Sequence, residues 1–165
     1  MALWIIYMFY VEKIVVMNKI SVSDLSIGDW VQARMVKWDY DDLDITPPMK
    51  IVKIEKDCVR LGFSLDDLEF EVFVDDLQPI PITAEVLEKN GFVDNGVGQH
   101  YLKCGNGVTV RVGRSPLFHD GCWLVATDKQ VDETITTTCV LFNAKQLHEL
   151  QRAMRLAKVG KEIVL

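Results

Sequence analysis

Two pairs of side chains in this chain could hold a metal ion. His100-x3-Cys104 and His119-x2-Cys122 together offer two nitrogens and two sulfurs, a set that zinc takes tetrahedrally. Residues 101–104, however, read as a strand, and positions four apart on a strand are separated by about 13 Å. His100 and Cys104 would then share a face without reaching one ion. The four are therefore expected to be scattered structural residues, and no cofactor is expected. Cys58, Cys104, Cys122 and Cys139 include no CxxC pair, and inert thiols in a reducing cytosol account for them.

A second cluster is acidic. Asp39, Asp41, Asp42 and Asp44 fall within six residues. A calcium loop of the EF-hand type needs glycine at its sixth position and glutamate at its twelfth. Counted from Asp39, those positions hold Asp44 and Lys50, so the motif fails. Trp38 and Tyr40 interleave with the acids, and amphipathic rings of this kind anchor protein partners. Trp38, Asp39, Tyr40, Asp41 and Asp42 are therefore the candidate binding surface, whereas Trp30 is assigned to the core. No GxSxG elbow, HExxH or P-loop is present. The glycines around Gly96-Val97-Gly98 precede a hairpin rather than a helix. No catalytic residue is assigned.

The elements that must position these residues follow from the apolar pattern. Ser23 to Asp29 reads as a turn into a strand over 30–38, and Pro47-Pro48 closes the acidic loop. Strands follow at 49–55, 58–61 and 69–74, the last with Phe70, Val72 and Val74 on one face. Short strands joined by tight turns predict a small, bent, SH3-like antiparallel β-barrel. Two prolines, Pro79 and Pro81, then mark a boundary, and Thr83 caps a helix over 84–90 that Gly91 ends. Asn106-Gly107, between 101–104 and 108–112, predicts a type I′ hairpin. Further strands are expected at 122–127 and 134–140.

The last element is a helix capped by Asn143, with Leu147, Leu150, Met154 and Ala157 on one stripe. Lys145, His148, Glu149, Arg152 and Arg155 take the other side. Arg152, Arg155 and Lys158 suit the negative end of its dipole. Gly160 is expected to end the helix, with an edge strand over 162–165. The fold class is thus α+β: a small barrel over 17–78, then an α+β domain over 79–165 built of a helix, a β-meander and a C-terminal helix.

Residues 1–16, MALWIIYMFYVEKIVV, hold an uninterrupted apolar run too short to span a bilayer as a helix. They also lack the basic start and small-residue cleavage site of a signal peptide. Met17 is the expected start and 1–16 upstream sequence, a membrane anchor or an extra packed strand being the alternatives.

Charge narrows the function classes. The chain has 165 residues, 49% hydrophobic and 25% charged, an ordinary globular balance that excludes disordered and coiled-coil classes. The net charge of −6 is uneven: residues 17–80 carry 7 Lys/Arg against 14 Asp/Glu, and residues 81–165 carry 10 against 9. Nucleic-acid binding draws its affinity from a basic face, so none is expected of the N-terminal half.

Three runs carry a resemblance: LSIGDWVQ, VFVDDLQPIPITAEVLEKNGF and QLHELQRAMRLAKVGKEIVL. With them the chain over 17–165 resembles a family of small proteins found in phages, prophages and conjugative elements of gut Bacteroidetes. The resemblance supports Met17 as the start and transfers no catalytic residue. The expected function is a cytoplasmic, non-catalytic binding or adaptor protein of a mobile element, acting on a protein partner. A small-molecule or nucleotide-binding protein, using Arg111 or Arg114, is the first alternative. A zinc- or thiol-dependent enzyme is the second.

Overall fold

A computed structural model of the chain describes residues 20–36, 43–62, 68–114, 122–130 and 136–165. The chain divides into two compact units, Met1–Pro79 and Ile80–Leu165. Each contains an antiparallel sheet, and the second adds two short helices, so the class is α+β.

The first unit contains β1 (Trp30–Val36), β2 (Leu43–Ile45), β3 (Met49–Ile54), β4 (Cys58–Gly62), β5 (Glu69–Phe73) and β6 (Leu77–Gln78). The sheet order is β2-β1-β3-β4-β5, with β6 also paired to β1. β1 pairs with β3 at its start, through Trp30↔Lys50, and with β2 at its end, through Val36↔Leu43. Pro47 and Pro48 cannot supply ladder donors between those two partners. Thr46 fills the gap: its Oγ1 accepts from the Ala33 N–H at 2.9 Å and its own N–H donates to the Ala33 carbonyl. After β5 a 3-10 turn at Val74–Asp76 delivers β6 to β1 through Gln32↔Gln78, so the meander returns to its first strand.

The Ser-Ile-Gly-Asp turn is structural. Asp29 is fully buried, and its carboxylate accepts from the Ser26 N–H at 2.8 Å. Gly28 takes φ +90°, which lets its N–H reach the Ile51 carbonyl at 2.7 Å. Trp30 is buried as expected, with the Lys50 ammonium 5.3 Å from its ring centre. Val31, Ile51, Val59 and Leu61 are fully buried and form the centre of this unit's core.

The second unit contains α1 (Ala84–Lys89), β7 (Val93–Asp94), β8 (Gln99–Lys103), β9 (Val108–Arg114), β10 (Trp123–Gln130), β11 (Thr136–Ala144) and α2 (Leu147–Leu156). The sheet order is β11-β10-β9-β8-β7. Thr83 caps α1, its Oγ1 accepting from the Val86 N–H at 3.2 Å, and Gly91 follows the helix at φ +80°. Leu87, Val110, Val112, Val125, Leu147, Leu150 and Ile163 are fully buried.

Three local expectations are corrected. The 8–9 hairpin is not a two-residue type I′ turn: Cys104 bonds Val108, leaving a three-residue loop with Gly107 at φ +73°. Asn143 is no cap, because β11 runs on to Ala144 and pairs it with Trp123. Gln146 starts α2 instead, and the Glu149 carboxylate accepts from the Gln146 N–H at 3.0 Å in a capping box. His148 is buried rather than on the solvent side, and Gln151 joins it.

The end of α2 also differs. The Val159 N–H donates to the Met154 carbonyl and the Lys158 N–H to the Arg155 carbonyl, which is a Schellman motif. Its left-handed position belongs to Lys158, at φ +54°, and not to Gly160. Buried Val159 explains this, since turning it back onto the helix requires the reversal one residue earlier. Residues 162–165 form no strand; instead the Asn90 side-chain amide mimics a peptide group, donating to the Val164 carbonyl and accepting from its N–H.

Candidate functional site

Trp38, Asp39, Tyr40, Asp41 and Asp42 lie outside the described residues. The strands that precede and follow the segment are described. Val36 pairs with Leu43, so six residues separate the facing ends of β1 and β2. Two residues before Val36, the Arg34 guanidinium donates to the Asp75 carbonyl at 3.2 Å. That bond ties β1 to the 3-10 turn that carries Asp75.

Asp75 belongs to a groove of about 680 Å³ in the first unit. Ile20, Val22, Phe73 and Val74 give it apolar walls, and Asp57, Asp75 and Asp76 face a single cation, Lys56. The strand alternation that buries Val72 turns Phe73 outward, where it is 65% exposed. The Val74 N–H donates to the Asp57 carbonyl at 3.2 Å, tying the 3-10 turn to the β3–β4 connection. The groove can thus take an apolar anchor beside positive charge.

Two of the four thiols, Cys58 and Cys104, are poorly placed for nucleophilic chemistry. Burial, then the Glu71 and Glu55 carboxylates, push the Cys58 thiol up, and burial pushes the Cys104 thiol up. Glu55 is held low by its hydrogen bond to Lys53, with the ammonium 2.7 Å away. A raised thiol carries less of the reactive thiolate at neutral pH. Exposed Cys139 is accordingly expected to alkylate several-fold faster than Cys104, with buried Cys122 slowest. Peptide mass spectrometry of a timed iodoacetamide reaction at pH 7.5 checks the order; fast labelling of Cys104 would contradict it.

The zinc quartet is only partly described. His119 lies outside the described residues. His100 is buried and sets its ring edge against Trp123, with ring centres 5.7 Å apart, while the Cys104 thiol faces the Leu102 carbonyl at 3.6 Å. Among the described residues no group of three His, Cys, Asp or Glu side chains could hold a metal ion. Nor do the two arginines weighed for a ligand pocket converge: Arg111 meets Asp128 at 3.5 Å, and the Arg114 guanidinium covers the Trp123 ring at 4.7 Å.

Sequence reasoning missed a second groove. It holds about 510 Å³ in the second unit, beside the β8–β9 hairpin and the end of α2. Its polar side chains include Lys103, Lys158 and Lys161, separated by up to 58 positions in the chain. The one available signal was Lys158 beyond the last turn of α2, which reads equally well as a dipole contact. Among the described residues no helix is long and apolar enough to cross a membrane. No family model, curated protein or solved structure matches the chain.

Proposed function

We propose that this chain is a non-catalytic binding or adaptor protein of a phage or related mobile element. It acts in the cytoplasm on a basic protein partner. The observation that carries this reading is the acid-rimmed groove with Phe73 standing 65% exposed at its wall. An exposed ring beside three aspartates is complementary to an apolar residue flanked by lysine or arginine. The uneven charge of the chain supports the same partner, since residues 17–80 carry twice as many acids as bases.

The first unit is, on this reading, an SH3-like barrel. An antiparallel sheet of order β2-β1-β3-β4-β5, a closing 3-10 turn and a short last strand returned to β1 support it. Trp38, Asp39, Tyr40, Asp41 and Asp42 are assigned to the same partner contact on their residue types alone, rings interleaved with acids. SH3-like barrels present aromatic-lined grooves to extended peptides. The experiment is capture of partner from host lysate by the full chain and by Trp38→Ala with Tyr40→Ala. Capture is expected to fall by roughly tenfold or more, as for aromatic anchors, with the melting curve unchanged. Undiminished capture would remove 38–42 from the surface.

A further inference from the structure

We propose that the groove in the second unit is a binding site for a small organic phosphate, held by Lys103, Lys158 and Lys161. The inference is independent of the partner surface on the first unit. The residues lining the groove include three lysines and no acid, in a chain of net charge −6. A cleft lined by one sign of charge concentrates ligands of the other. Among the described residues none of these lysines has a carboxylate partner at ion-pair distance.

Helix capping does not account for the three charges. The Ala153, Met154 and Arg155 carbonyls at the end of α2 already accept backbone N–H groups from Ala157, Val159 and Lys158. Lys161 is fixed elsewhere, its ammonium donating to the Asn90 carbonyl at 2.6 Å. That contact neutralises no charge, and Lys161 also lines the groove.

Lys158 supplies a separate observation. It is the only non-glycine residue with positive φ among those described, at the Schellman position that glycine fills without strain. Its side chain has no ion-pair or hydrogen-bond partner among the described residues, and the residue lines the groove. Val108, Ala157 and Val159 form an apolar wall, and about 510 Å³ is within the range of small-ligand pockets. That space exceeds a bare phosphate and fits a phosphate attached to an organic group.

The test uses the full chain with ADP and inorganic pyrophosphate as probes and adenosine as the uncharged control, at constant ionic strength. Titration followed by amide NMR is expected to move Gly105, Lys158 and Gly160 saturably with a phosphate probe and not with adenosine. Lys103→Ala with Lys158→Gly is expected to weaken that binding at least tenfold, because two cations are removed from a small anion. Lys158→Gly alone is expected to raise Tm while weakening binding about threefold, opposite signs that mere damage to the fold would not give. Absence of saturable shifts at millimolar probe overturns the proposal. So does binding that the double substitution leaves intact, or that adenosine reproduces.

Discussion

Trp123→Ala is expected to destabilise the second unit by about 3–5 kcal/mol, the range for removing a large aromatic ring from a core. Trp123 is 4% exposed, and the interior strand β10 carries it between β9 and β11 through Trp123↔Arg114 and Trp123↔Ala144. Its ring receives the edge of buried His100 on one contact and the Arg114 guanidinium on another. Its Nε1–H donates to the Ile82 carbonyl at 3.2 Å, in a buried hydrogen bond. Alanine leaves both a cavity and an unpaired carbonyl, the latter alone costing about 1–3 kcal/mol. Total stabilities of single domains are about 5–15 kcal/mol, so the variant should be partly unfolded at 37 °C. Trp123→Phe, which keeps the ring and loses the hydrogen bond, should cost less than half as much. Urea unfolding followed by circular dichroism measures both. A loss under 1 kcal/mol for alanine would mean that Trp123 is not the centre of this core.

Phe73→Lys is expected to have the largest effect on partner binding, roughly 30-fold or more, the loss seen at an interface hot spot. The substitution removes the exposed ring and brings a cation to a rim where Asp57, Asp75 and Asp76 outnumber Lys56. Folding should tolerate it, since Phe73 points outward and the adjacent Val72 carries the burial. Phe73→Ala separates the two contributions: it should weaken binding less and keep its salt dependence. Equilibrium binding to the captured partner at two salt concentrations reads both. Equal affinities for wild type and Phe73→Lys would remove the groove from the interface.

Much of the local structure was legible because short-range chemistry decides it. The Ser-Ile-Gly-Asp turn needs an acceptor at Asp29 and a positive φ at Gly28, and both residue types announce that. Thr83 and Gly91 bracket α1 for the same reasons. Errors arose where a distant partner decides. Asn143 is a good cap in isolation, but pairing with β10 draws the strand through it. Gly160 is a good helix stop, yet burial of Val159 sets the reversal at Lys158. His148 looks polar on a helical wheel and is buried all the same.

The two grooves mark the limit more sharply. The acidic bias of 17–80 was visible in the composition, but its focus beside Phe73 depends on the 3-10 turn meeting the β3–β4 connection. The three lysines of the second groove come from a hairpin, a helix end and the C-terminal segment. No spacing rule links such positions; only the folded sheet and helix do.

The most direct measurement is native mass spectrometry of the full chain and of Phe73→Lys, each isolated from host cells without chelator. The account predicts a discrete complex of the wild-type chain with a basic protein, dispersed by salt and missing from the variant. A wild-type chain recovered bare, or a complex that Phe73→Lys leaves intact, would contradict it.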